Sequence, residues 1–151
     1  MKSSWIAGLL AFAVAFASVS IAVDTKVDMD KMKCLVLGTP AKADQTSDWK
    51  DAKVYFCCGN CLKKFDADKK SFASKANHQL IASKQVAQKA CPFTGRDLNK
   101  ASSVEFKGAT VAFCCNNCKG SAEKMSDDDK LAKLFGEEAY EKAKFAKVEV
   151  K

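Results

Sequence analysis

The sequence predicts an α+β protein made of two tandem small β-hairpin/knuckle/helix units, placed after an N-terminal signal peptide. Three observations carry this. Cysteines at 34, 57, 58 and 61 recur at 91, 114, 115 and 118, a constant offset of 57 residues. The residues ahead of the second Cys-Cys-x2-Cys alternate, Val111 and Phe113 with Thr110 and Ala112, as a half-buried strand does. The chain opens on a single Lys followed by an uncharged apolar run. A length of 151 residues suits one ordinary domain or two very small ones and excludes a large multidomain enzyme. A hydrophobic content of 48% argues against disorder throughout.

The leader comes first. Lys2 supplies a positive start, Ile6 to Ala17 is apolar, and Ser20-Ile21-Ala22 places small residues at the −3 and −1 positions of a cleavage site. Residues 1–22 therefore read as a secretory signal peptide cut after Ala22. An uncleaved anchor is the alternative, since the uncharged run from Ser3 to Val23 nearly spans a bilayer. Small residues crowd its end, however, and no basic cluster follows it. The expected location is periplasmic or secreted, with no stable membrane anchor after cleavage. In such an oxidising compartment free thiols persist only when paired or metal-bound.

The repeat divides the remainder into a first Cys-rich unit, 23–85, with an N-terminal lead and a helical spacer, and a second, 86–151, with a C-terminal helix. At the same offset Gly38 matches Gly95, Lys50 matches Lys107, Ala52 matches Ala109, Val54 matches Val111, Phe56 matches Phe113 and Asn60 matches Asn117. So many identities at one offset mark a tandem duplication. Each unit starts on a Cys in a turn, Cys34-Leu35-Val36-Leu37-Gly38 or Cys91-Pro92-Phe93-Thr94-Gly95. A hairpin follows, clearest where Val104-Glu105-Phe106 turns at Lys107-Gly108 into Thr110–Phe113. That strand runs into the Cys-Cys-x2-Cys, where Gly59, Asn60 and Asn116-Asn117 suit a tight knuckle, and a helix should start at once. Leu62 and Phe65 share a face of the first helix, and a further helical stretch is expected from Lys69. After Cys118, Gly120 weakens the first turn. Ser126 and Asp127 can cap a helix carrying Leu131, Leu134 and Phe135, which Gly136 ends before another helix over 137–145. The segments 86–90 and 146–150 resemble closing strands. Neither half has enough apolar residues for a generous core, so cross-linking by metal or disulfide is expected.

Cys-x-x-Cys at a strand-to-helix junction, with a further Cys brought near by a hairpin, suits a small zinc or soft-metal site, because thiolates hold Zn²⁺ tetrahedrally and also suit Cu(I). The candidate ligands are Cys34, Cys57, Cys58 and Cys61 in one unit and Cys91, Cys114, Cys115 and Cys118 in the other. Both Cys57/Cys61 and Cys58/Cys61 spacings can chelate, so one of each vicinal pair can be spare. The pattern Cys34…Val54-Tyr55-Phe56-Cys57-Cys58-x2-Cys61-x3-Phe65, echoed by Cys91-Pro92-x2-Gly95…Val111-x-Phe113-Cys114-Cys115-x2-Cys118, resembles the YHS/TRASH superfamily of treble-clef-like metal-binding modules, which includes the MYM-type fingers. The resemblance covers roughly residues 34–65 and 91–122. It implies heavy-metal sensing, trafficking or binding, with Cys34, Cys57 and Cys61, and Cys91, Cys114 and Cys118, as ligands and Cys58 and Cys115 as fourth ligands. The second unit departs from it in having Ala122 where the first has Phe65, and no His reinforces either site. The expectation is one Zn²⁺ per repeat, with Cu⁺ as the alternative. The rival reading is a disulfide-stapled or thiol-redox secreted protein acting as an interaction module. The Cys-x-x-Cys at a helix start favours a lowered thiol pKa, but no thioredoxin-like βαβ pattern surrounds it.

The rest of the chain offers little chemistry. The lone His78 reads as solvated or as a local hydrogen-bond former rather than as a ligand, and Met29, Met32 and Met125 as surface or packing residues. Lysines alternate with acids, as in Asp127 to Lys133, without a basic run or interleaved aromatics. They read as solvated faces, so no nucleic-acid partner is expected. With no nucleophile triad, phosphate-cradling loop or carboxylate pair, an enzyme is not expected. If the metal is structural, an unidentified protein partner is implied. The formal charge of +7 counts thiols as neutral, so metal-bound thiolates lower it, and the basicity carries less information than the cysteines.

Overall fold

The computed structural model describes residues 27–148; the segment read as a signal peptide lies outside them. The described residues form a mixed α+β fold of three two-stranded antiparallel sheets and five α-helices. In the first repeat a loop from Cys34 to Thr39 leads into β1 (Lys42–Trp49), β2 (Ala52–Phe56) and α1 (Gly59–Ala67). A 3₁₀ turn and α2 (Ala73–Ala82) connect to β3 (Val86–Ala87). The second repeat then gives β4 (Asn99–Phe106), β5 (Ala109–Phe113) and α3 (Asn116–Glu123). The described residues close with α4 (Asp127–Phe135), α5 (Glu137–Lys142) and β6 (Ala146–Lys147).

The 57-residue offset is structural as well as sequential. β4 and β5 reproduce the bounds of β1 and β2, and α3 starts where α1 does. Even the irregularity is copied: the register slips between Lys42 and Thr46 in one hairpin and between Asn99 and Ser103 in the other. The second hairpin turns through Lys107 and Gly108 at φ +48° and +86°, a turn whose twist matches that of the flanking strands. On the inner faces Val54, Phe56, Val111 and Phe113 are fully buried, as their alternation requires. Tyr55 is buried too, so β2 departs from simple alternation.

Inside the first repeat, α1 turns Cys61 and Phe65 inward. The Phe65 ring packs edge-on against Trp49 and at a tilt against Phe56 and Phe72. In α3 the matching residue is Ala122, fully buried, and the helix runs through Gly120. The spacer helix α2 is the central element. It packs against β2, β5, α4 and α5, with Ala76, Leu80 and Ile81 buried. One core therefore runs through both repeats, joining Phe56 and Phe65 to Phe113, Leu134 and Phe135. Two polar residues of α2 face this junction. Asn77, wholly buried, accepts from Trp49 Nε1 at 2.8 Å and donates to the Phe135 carbonyl at 2.9 Å and to Glu137 Oε1 at 2.8 Å. His78 Nε2 lies 3.0 Å from the Phe106 carbonyl, its ring edge-on to Phe106 and Phe135. His78 is thus half-buried between the repeats rather than solvated, and burial above all holds it below its ordinary value of 6.5.

The described residues that follow α5 are anchored to the linker. Ser126 caps α4, its hydroxyl accepting from the Asp129 amide at 3.2 Å. Gly136 separates α4 from α5, and β6 pairs with β3. The Lys89 and Ala90 amides donate to the Ala143 carbonyl at 3.1 and 2.9 Å. No helix of the described residues is long and apolar enough to cross a membrane.

Candidate metal centres

Each repeat builds its thiol cluster from two directions. The first is the loop after the leading Cys. The Cys34 amide donates to the Thr39 carbonyl at 2.8 Å and the Gly38 amide to the Cys34 carbonyl at 2.7 Å. The second repeat copies both bonds: Cys91 amide to Arg96 carbonyl and Gly95 amide to Cys91 carbonyl, each 2.8 Å. Gly38 and Gly95 sit at φ +73° and +70°, which a side chain would strain. This tight loop turns the amides of Val36 and Leu37 onto the Cys34 sulfur, and those of Phe93 and Thr94 onto Cys91. The second direction is the strand-to-helix junction. Cys57 and Cys114 directly follow β2 and β5, Cys58 and Cys115 are the residues just before α1 and α3, and Cys61 and Cys118 lie in the first helical turn.

The two directions meet. The sulfurs of Cys34, Cys57 and Cys61 all lie within 4.8 Å of one another, and so do those of Cys91, Cys114 and Cys118. Cys57 and Cys61 are 3.7 Å apart and Cys114 and Cys118 3.8 Å. Cys58 stands 3.9 Å from Cys57 and 3.7 Å from Cys61, and Cys115 is 3.7 Å from Cys114, yet neither belongs to the mutually close triad of its repeat. All eight thiols are unbridged. A disulfide holds its sulfurs at about 2.05 Å; tetrahedral zinc with bonds of about 2.3 Å puts them roughly 3.8 Å apart.

The electrostatics divide the thiols into two kinds. Burial pushes Cys34 up, but the amides of Leu37, Cys57 and Val36 outweigh it and leave the thiol below its ordinary value. At Cys91 burial is likewise the largest influence, overcome by the Thr94 hydroxyl and the amides of Cys114, Phe93 and Thr94, which bring the thiol down to about 7. Cys58 is lowered chiefly by the Cys61 amide, and Cys115 by the Cys118 amide, as expected for sulfurs at a helix N-terminus. Cys61 and Cys118 move the other way, pushed up to about 12 by burial and then by the neighbouring sulfurs. Three sulfurs so close cannot all ionise without a cation between them. Each triad therefore suits a positive ion, which would discharge the repulsion.

The repeats differ in one contact. Thr94 Oγ1 lies 3.3 Å from the Cys114 sulfur, while the matching Leu37 is the one exposed large hydrophobic residue among those described. The sequence singled out all eight cysteines; it gave no sign of Thr94, nor of three glutamines (Gln79, Gln85 and Gln88) that hold the strands beneath the sulfurs. Scans against protein-family models and searches of curated proteins and solved structures return no match to this chain.

Proposed function

We propose that this is a metal-binding protein that holds one zinc ion per repeat in cysteine thiolates. The observation carrying the proposal is the pair of triads, Cys34/Cys57/Cys61 and Cys91/Cys114/Cys118, each within 4.8 Å. Their short sulfur separations match tetrahedral zinc and exceed a disulfide. Cys58 and Cys115 are the nearest thiols for a fourth position. A loop carrying one sulfur, a hairpin whose second strand leads straight into the next, and a helix whose first turn carries the third support a treble-clef-like module of the YHS/TRASH kind. On this reading the chain is no enzyme. Its leader is removed, it works in the periplasm or outside the cell, and the ion serves either to brace the fold or as cargo.

Native mass spectrometry with thiol counting, on protein purified from its own compartment, tests this. Two zinc ions per chain with chelator-released thiols are expected. Cys34→Ser and Cys91→Ser should each lose one ion and keep the other. A metal-free mass, lower by about two hydrogens per Cys pair, would overturn the proposal in favour of the disulfide or thiol-redox reading. Copper(I) in place of zinc would keep the sites and change the cargo.

A further inference from the structure

Resting on that metal reading, the geometry points to Gln79 and Gln88 as the positioning residues of the two metal sites, one for each repeat. Each carboxamide ties the loop that carries the leading Cys to the strand that carries the knuckle. Gln79 Oε1 accepts from the Tyr55 amide at 2.7 Å, and its Nε2 donates to the carbonyls of Tyr55 at 2.9 Å and Lys33 at 2.8 Å. Gln88 Oε1 accepts from the Ala112 amide at 2.8 Å, and its Nε2 donates to the carbonyls of Ala112 at 2.8 Å and Ala90 at 2.9 Å. Tyr55 and Ala112 correspond at the 57-residue offset, and so do Lys33 and Ala90. The same three backbone atoms are therefore held in the same way in both repeats.

The glutamines themselves do not correspond. Gln79 reaches back from α2, well after Cys61, whereas Gln88 lies in the linker just ahead of Cys91. Two unrelated places in the chain supply one bonding pattern, so the pattern is not simply inherited with the duplicated segment. Its location explains its use. Lys33 and Ala90 immediately precede the leading cysteines, and Tyr55 and Ala112 stand two residues before Cys57 and Cys114. A carboxamide, with an acceptor and two donors on one rigid plane, can pair with a strand residue and still grip a second carbonyl. It thereby sets the distance between the lone sulfur and the sulfurs of the knuckle. Gln85 is the built-in control. It pairs with the Lys53 amide at 3.0 Å and carbonyl at 2.8 Å on the same edge of β2, but its remaining bond goes to Ser83 Oγ and not to the loop.

The test uses the full chain and the variants Gln79→Met, Gln88→Met and Gln85→Met, with zinc competed against a chromophoric chelator and amide exchange followed by NMR. Gln88→Met should weaken the Cys91 site by about 10–100-fold, the usual effect of removing a group that orients a ligand, and leave the Cys34 site unchanged. Gln79→Met should do the reverse. Gln85→Met should lower stability while both ions bind as before. The inference is overturned if either clamp variant retains both ions at wild-type affinity, or if Gln85→Met weakens the first site as much as Gln79→Met does. Absence of any bound metal from the wild-type chain would refute the metal reading instead. In that event faster exchange of the Cys91 and Ala112 amides in Gln88→Met, with the Cys34 amide unaffected, still supports the clamp, and unchanged exchange refutes it.

Discussion

Replacing Asn77 with Leu should destabilise the protein by about 1–4 kcal/mol, and the figure follows from what each lost bond leaves behind. The Phe135 carbonyl belongs to the last turn of α4, where helix carbonyls lack intrahelical partners. Its residue is fully buried and Asn77 donates to it at 2.9 Å. Stranding such a group costs about 1–3 kcal/mol. Trp49 Nε1 sits in a half-buried residue and regains part of its hydration, which adds roughly 1 kcal/mol at most. Glu137 keeps its Lys50 ion pair at 2.9 Å and is about half exposed, so it contributes little. Leu has the same number and branching of side-chain heavy atoms as Asn, so no cavity opens, and its bulkier methyl groups can only add to the loss. The assay is urea denaturation at a fixed excess of zinc, since bound metal itself shifts apparent stability. Asn77→Asp serves as a second probe. Its carboxylate still accepts from Trp49 but faces the Phe135 carbonyl and Glu137 Oε1, and adding Glu137→Gln should recover part of the loss. A loss below about 0.5 kcal/mol in Asn77→Leu, within the range of ordinary surface changes, would refute the reasoning. So would a Glu137→Gln addition that recovers nothing.

Two further perturbations probe other joints. In Gly136→Ala the new Cβ would collide with the Ala132 carbonyl oxygen. Backbone cannot swing aside, so a loss of about 1–3 kcal/mol is expected on thermal melting; an unchanged melting temperature would mean that α4 and α5 hinge freely. His78 governs a pH response. Its folded value is depressed below 6.5 by burial, so below that pH the unfolded chain takes up a proton that the folded chain refuses. Stability therefore falls as pH drops from about 7 through the unfolded value and levels off below the folded one. Denaturation midpoints should decline more steeply for wild type than for His78→Gln over that interval. Thiol protonation is common to both proteins and cancels in the comparison. Parallel declines would exclude His78 as the cause.

How much could be read from the chain depended on whether a feature repeats along it. The hairpins were legible because alternation is a local signal and Val111 and Phe113 display it. The duplication made the first hairpin legible by analogy, although Tyr55 breaks its alternation. The cysteine triads were legible because thiols at chelating spacing have few other uses. The separation of Cys58 and Cys115 from the triads was implied by the resemblance to YHS/TRASH modules and not by spacing, since the choice between vicinal sulfurs is made by the turn of the backbone at the start of α1 and α3. Gln79, Gln88 and Asn77 left no trace for the same kind of reason. A side chain that pairs with backbone atoms of distant residues has neither periodicity nor a characteristic neighbour. His78 is hydrogen-bonded, one of the two roles its sequence setting allows, but to a distant carbonyl and out of solvent, because its partner and the faces burying it come from Phe106 and Phe135, far along the chain.

The position of α2 has a consequence for the order in which the protein is made. Its sequence is complete when residue 82 has been synthesised, but the surfaces it packs on in β5, α4 and α5 come much later. The strand that fastens the linker, β6, is nearly the last described segment of all. A nascent chain that ends between the repeats therefore carries Cys34, Cys57, Cys58 and Cys61 on a half-built wall, with Leu80 and Ile81 still in water. The residues of the first cluster are all present in that fragment, but the core that covers α2 is not, so there is an interval in which Leu80 and Ile81 are open to wrong partners. The closing pairing of β3 with β6 marks the end of that interval.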